Sequence, residues 1–267
     1  MSRVILWLEL RRSRSLTIWL AVVALAYSAI IGAFYPVIRD NVKLLDDYMA
    51  VFPKPLLAAF GMVGSLSDHG VFFNTYVGSM VWPIVAAIAA VILGTRTVAA
   101  DVERGFIELP LATRIDRVRY LGAAIAGQIV VLAILALATV GGLLVVGIVV
   151  NAGFDAGRFL MDVPLLFLFA CAVAGLTTLL AVATLSRGIS AGVAAGGLLA
   201  MYLLDAISRI DPGLDWVGTF GFFRYLRSTS AIGQGVLPAG ELELFAAVAL
   251  ISWGLAIWVF RRRDLVA

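Results

Sequence analysis

The sequence predicts an all-α integral membrane protein with six transmembrane helices, both termini cytoplasmic, and one substantial cytoplasmic segment between helices 2 and 3. Three observations predict it. Of 267 residues, 62% are hydrophobic and only 14% charged. Six apolar runs approach or exceed the roughly 20 residues that a helical crossing requires. Charges and a proline crowd instead into one interval, Arg96 to Arg119, between two membrane-length stretches.

The runs are Leu16–Pro36, Val71–Leu93, Tyr120–Val150, Val163–Leu185, Ile189–Ile207 and Leu244–Phe260. The first follows Arg11, Arg12 and Arg14, as in a signal peptide. Its unbroken stretch from Leu16 to Tyr35 exceeds the roughly 7–15 apolar residues of a signal core, so a retained helix is expected. The third run is longer than a crossing needs, which permits tilt. None shows the period-2 alternation of barrel strands, so backbone groups in lipid are satisfied within helices. The crossings fill the chain as a single membrane domain, residues 1–267, with no room for a separate soluble catalytic domain.

Basic residues give the orientation. With the amino terminus inside, 13 of the 20 Lys and Arg residues lie on cytoplasmic segments, and 11 of the 17 acidic residues lie outside. The positive-inside rule therefore puts both termini in the cytoplasm. Two external segments are longer than turns, residues 37–70 and 209–243. Prolines and glycines in the first predict short interfacial helices. Aromatics in the second favour the membrane–water boundary.

Few residues carry a chemical pattern. Gly188, Gly192 and Gly196 fall near one face of the fifth run, where a second backbone can approach closely. That neighbour is either a helix of the same subunit or a symmetry mate. Asp205 lies four residues before Arg209, a helical spacing that lets the pair satisfy each other near the interface. This structural reading is preferred to a functional intramembrane acid. His69, the only histidine, has one acid beside it, far short of about four metal ligands, and reads as a loop residue. No metal site is expected. Cys171, the only cysteine, permits no disulfide within the chain. Serines such as Ser79 and Ser190 lack an accompanying histidine base. The G-x-x-x-x-G-K-[ST] phosphate loop is missing, so the chain is expected to be no enzyme and to hydrolyse no ATP by itself. No nucleic-acid partner is expected.

The interval Thr97–Ala123 carries the most information. Val98–Arg104 can prolong the second helix into the cytoplasm, and Gly105 is a C-terminal stop. Phe106–Ala112 suits a brief helix or turn. Thr113 and Asp116 have the T-x-x-D spacing of a capping box before the third helix. The interval is either a basic loop on lipid headgroups or a rigid elbow that offers Glu103, Arg104 and Glu108 to a soluble partner.

Glu103-Arg104-Gly105-Phe106-Ile107-Glu108-Leu109, followed by Ala112-Thr113-Arg114-Ile115-Asp116-Arg117, resembles the E-x-G-T-x-E-L…A-T-P-I-S-R pattern of ABC type-2 transporter permease subunits. Phe106, Arg114 and Asp116 depart from it. Upstream, Phe52-Pro53-Lys54-Pro55-Leu56 through Phe60-Gly61 resembles that family's external P-x-x-L…F-G segment. The ending Phe260-Arg261-Arg262-Arg263-Asp264-Leu265 is similar to its F-x-R-R-D-L terminus.

The resemblance implies a coupling helix around Asp101–Leu111, within a coupling segment 94–119, that docks on a separate ABC ATPase subunit. Asp101, Glu103, Arg104, Gly105, Glu108, Arg114, Asp116 and Arg117 would serve that contact. ATP and magnesium would sit on the partner and no cofactor on this chain. It also implies two permease copies in a prokaryotic cell membrane, with the Gly188–Gly192–Gly196 ladder at the seam. Residues 1–15 would form an amphipathic interfacial segment, although Arg11 and Arg14 share a side with Trp7.

The expected function is the translocation route of an ATP-driven exporter of hydrophobic or amphipathic cargo such as a drug, antibiotic or lipid. Tyr27, Phe34, Tyr76, Met201 and Tyr202 are the pathway candidates. The alternatives are a secondary transporter, which wants ionisable groups near the membrane middle, an intramembrane enzyme, and a membrane anchor or sensor that recruits a cytoplasmic protein.

Overall fold

The structure, a computed structural model, describes residues 3–53, 57, 65–103, 116–226 and 229–263. Among these residues every regular element is helical. In chain order they are α1 (Arg3–Asp40), α2 (Val42–Met49), α3 (His69–Phe73), α4 (Trp82–Thr97), α5 (Ala99–Glu103), α6 (Arg117–Val149), α7 (Ala156–Thr184), α8 (Arg187–Ile210), α9 (Asp215–Gly218) and α10 (Ala239–Arg262). Helices α1, α6, α7, α8 and α10 are each long and apolar enough to cross a membrane. The chain is a multi-pass membrane protein by that criterion.

The second crossing is not one rod. The apolar run is continuous in sequence, but α3 passes into a π-helical turn, Asn74–Gly78, before α4 begins. The two parts meet at a 41° bend. Pro83 at the start of α4 supplies the physical reason, since a proline ring fits the first turn of a helix but not its interior.

Local chemistry moves other boundaries away from the apolar runs. Asp155 caps α7 by accepting the N–H groups of Gly157 at 2.9 Å and Arg158 at 3.3 Å, so that helix starts before Val163. Asp162, outside the expected run, thereby enters α7 and is fully buried. Asp116 is the N-cap residue of α6, with extended backbone and no side-chain capping bond. The expected box had Thr113 as the cap and Asp116 one turn inside; Thr113 lies outside the described residues. In α1, residues 3–15 continue the same 38-residue helix as the apolar stretch. That helix is about 57 Å long at ~1.5 Å per residue, well beyond a ~30 Å hydrocarbon core.

α7 is the central helix, with α4, α6, α8 and α10 packed around it, while α1 lies along α6. Isolated glycines set the closest approaches. A methyl group at Gly142 would collide with the backbone of Leu25, and one at Gly32 would press on Leu143. Gly94 meets Thr177 in the same way, and Gly175 meets Ala249. Such small residues let helices gain dispersion contacts where lipid supplies no hydrophobic drive. Between α4, α6 and α7, the buried Gln128 amide exchanges hydrogen bonds with Thr178 Oγ1 at 3.1 and 3.2 Å.

Candidate functional site

The arginine-bearing ends of α1, α4, α6, α8 and α10 converge at one end of the bundle, called here the basic end. At its centre is Asp101 of α5, a carboxylate only 5% exposed. Arg12 of α1 donates to both its oxygens, Nη1 to Oδ2 at 2.9 Å and Nη2 to Oδ1 at 2.6 Å. The Tyr120 hydroxyl of α6 donates to Oδ2 at 2.6 Å. Arg96 of α4 closes the cluster by donating to the Arg12 carbonyl at 2.7 Å. A bidentate guanidinium–carboxylate pair is among the stronger and more directional polar contacts. Here it joins α1, α5 and α6, and it explains how a charged side chain remains inside the fold.

Asp101 is therefore a buried structural partner of Arg12 and Tyr120 rather than a group standing on the surface. Glu103, two residues on, is exposed, and its Oε1 accepts from the Arg187 N–H at 2.8 Å and from Ser186 Oγ at 3.2 Å. It thus caps the first turn of α8, where free N–H groups and the helix dipole favour an anion. Arg117 donates to the Arg263 carbonyl at 2.5 Å, and Arg263 in turn donates to the carbonyls of Val182 and Ala183 at the end of α7. Arg104, Gly105, Glu108 and Arg114 lie outside the described residues. So does most of the 52–61 segment.

A groove of about 610 Å³ runs between α4 and α8, floored by Ile84, Ile88, Val91, Leu198 and Leu199. Met80, Pro83, Tyr202 and Phe223 continue from it into a smaller pocket of about 50 Å³, which Tyr76, Ser79, Asp205 and Arg209 also line. Asp205 and Arg209 form the expected pair, Oδ2 to Nη2 at 2.6 Å, with side chains 4% and 16% exposed. Asp205 Oδ1 is buried with no hydrogen-bond partner among the described residues. The arrangement offers an apolar trough with one polar end, the usual form of a site for an amphipathic molecule.

The pathway candidates divide. Tyr76 and Tyr202 meet in the small pocket. Tyr27 reaches it indirectly, donating its hydroxyl to the Tyr76 carbonyl at 2.9 Å. Phe34 is 57% exposed on α1, and Met201 packs against the core, so neither lines the groove. Gly188, Gly192 and Gly196 have no heavy atom within 4 Å of where a Cβ would stand. Among the described residues, no helix packs on that ladder.

His69 is a correction of another kind. It opens α3 rather than lying in a loop, and its ring sits 5.0 Å from Tyr35 and 5.1 Å from Phe154 in edge contacts. Sequence reasoning also missed the roles of Arg12, Tyr120 and Ser186. Nothing local distinguishes Arg12 from Arg11 and Arg14; only its partner 89 residues away does.

No protein-family model matches the chain, and no curated protein matches it.

Proposed function

We propose that this chain is the membrane subunit of an ATP-driven exporter, working as two permease copies with separate ATPase subunits in a prokaryotic cell membrane. The basic end faces the cytoplasm in this reading, in keeping with the positive-inside rule. The observation that carries it is the bonding around residues 101–103. Asp101 is tied to α1 and α6, and Glu103 to the start of α8, the helix that walls the groove. A push delivered by a partner on the adjoining segment 104–115 reaches three crossings at once. ATP-driven closure of the partner would bias two packings of these helices, one groove-closed and one groove-open. The apolar trough with its Asp205 end supports an amphipathic or apolar cargo.

The test pairs Glu103→Lys with Arg104→Glu. An ATPase subunit is expected to co-purify with the wild-type chain, and both exchanges are expected to weaken that association or uncouple hydrolysis from export. If recruitment and export both survive, the coupling assignment is wrong. Labelling that puts Glu103 outside the cell would end it as well.

A second reading, an ion-coupled carrier, draws on two of the buried carboxylates, Asp162 and Asp205. Asp162 lies only about two turns from the start of α7, however, and Asp205 is paired with Arg209 near the end of α8. Transport that persists without ATP but collapses with the proton or sodium gradient would favour this carrier.

A further inference from the structure

The face of α1 that carries Trp7, Arg11, Arg14, Ile18 and Ala21 lies open along one side of α6, and together they form a second groove of about 770 Å³. Val130 and Ile134 of α6 supply its opposite wall. The α1 residues recur at spacings of three and four, so they make a single stripe along the helix. Arg12 points elsewhere, into the Asp101 cluster. Arg11 and Arg14 are exposed, and among the described residues neither has an ion-pair partner. The Arg11 guanidinium stacks 5.1 Å from the Trp7 ring, and among the described residues no carboxylate lines the groove.

We propose that this groove holds one anionic phospholipid. Two guanidiniums presented side by side match a phosphate, which they engage with planar, forked donors. Trp7 belongs at headgroup level, where tryptophan rings concentrate. Beyond the arginines the walls turn aliphatic at Ile18, Ala21, Val130 and Ile134, as an acyl chain requires. Trp7 to Ala21 spans about 21 Å at ~1.5 Å per residue, close to half of a ~40–45 Å bilayer with its headgroups. One leaflet fits that length. The site is independent of the ATP-driven reading and holds for any function of the chain.

The test is native mass spectrometry of the full chain, purified in detergent, stripped of lipid and titrated with phosphatidylglycerol or phosphatidylcholine. The wild type is expected to bind phosphatidylglycerol about 10-fold more tightly than phosphatidylcholine, on the scale of two juxtamembrane cations. Arg11→Gln with Arg14→Gln should remove that preference. Arg11→Lys with Arg14→Lys, which keeps both charges, should retain most of it. Arg261→Gln with Arg262→Gln, at another exposed basic helix end, should leave it unchanged. The proposal is overturned by equal binding of the two lipids, or by a Gln pair that binds like wild type. A control pair that loses as much means diffuse attraction only, and rapid cross-linking of Ile18→Cys between copies means that protein covers the groove; either result also overturns it.

Discussion

Glu103 Oε1 lies 2.8 Å from the backbone nitrogen of Arg187, so the last described residue before segment 104–115 is also a cap of α8. Two elements far apart in the chain thus share one carboxylate. Replacing Glu103 by Ala should lower the stability of the detergent-solubilised chain by about 1 kcal/mol, the usual cost of a lost helix cap. Glu103→Gln keeps an acceptor and should lose less. Thermal unfolding of the three proteins checks the order, and an alanine variant as stable as wild type would remove the cap from the account.

Asp101→Asn should be more damaging. It leaves the Arg12 guanidinium without its countercharge in a site where removing one partner of a fully buried pair costs ~3–5 kcal/mol. The Arg12 side chain keeps 28% of its exposure, so a smaller loss than for a fully buried pair, about 2–3 kcal/mol, is expected. Arg12→Met combined with Asp101→Leu should recover most of the loss, because two apolar groups strand no charge. A double variant as unstable as Asp101→Asn contradicts the pairing.

Gly142 and Gly192 should respond oppositely to one added methyl. Gly142→Ala forces α1 away from α6 and should cost about 1–3 kcal/mol, as overpacking does. Gly192→Ala meets nothing among the described residues and should leave the monomer's unfolding temperature unchanged. If two copies meet along α8, the same variant should weaken their association on size-exclusion chromatography.

Filling the α4–α8 groove separates cargo binding from assembly. Ile88 is 45% exposed and forms part of the groove floor, so Ile88→Trp occupies space without displacing core side chains. Binding of an apolar fluorescent dye should fall about 10-fold, as expected when a pocket that supplies most of the buried contact is blocked. Retention of the proposed ATPase partner should be unaffected. Undiminished dye binding would place the cargo elsewhere.

Much of this architecture was legible in the sequence because lipid imposes a strong length and polarity requirement. Five of the six apolar runs located membrane-length helices and the other, the second run, a bent pair, and the four-residue spacing of Asp205 and Arg209 located their ion pair. Hydropathy averaged over the run did not expose the joint near Ser79; Pro83 was the local sequence signal for it. Nor could hydropathy extend α7 back over Asp162, because the start is set by the Asp155 cap. The Arg12–Asp101 pair was invisible for a different reason. Its members lie on separate helices 89 residues apart, and no periodicity links them. The ladder Gly188–Gly192–Gly196 was readable as a motif, but whether a neighbour occupies it depends on tertiary packing alone.

The wide turn at Asn74–Gly78 gives the second crossing a freedom that a regular helix lacks. Tightening such a turn into a regular α-helical one rotates everything beyond it by about 100° around the axis, with few bonds exchanged. α4 can therefore swivel while α3 stays held through His69 and Phe72 against Tyr35 of α1. Twisting, rather than sliding, is the cheapest way for this span to present a new surface to α8.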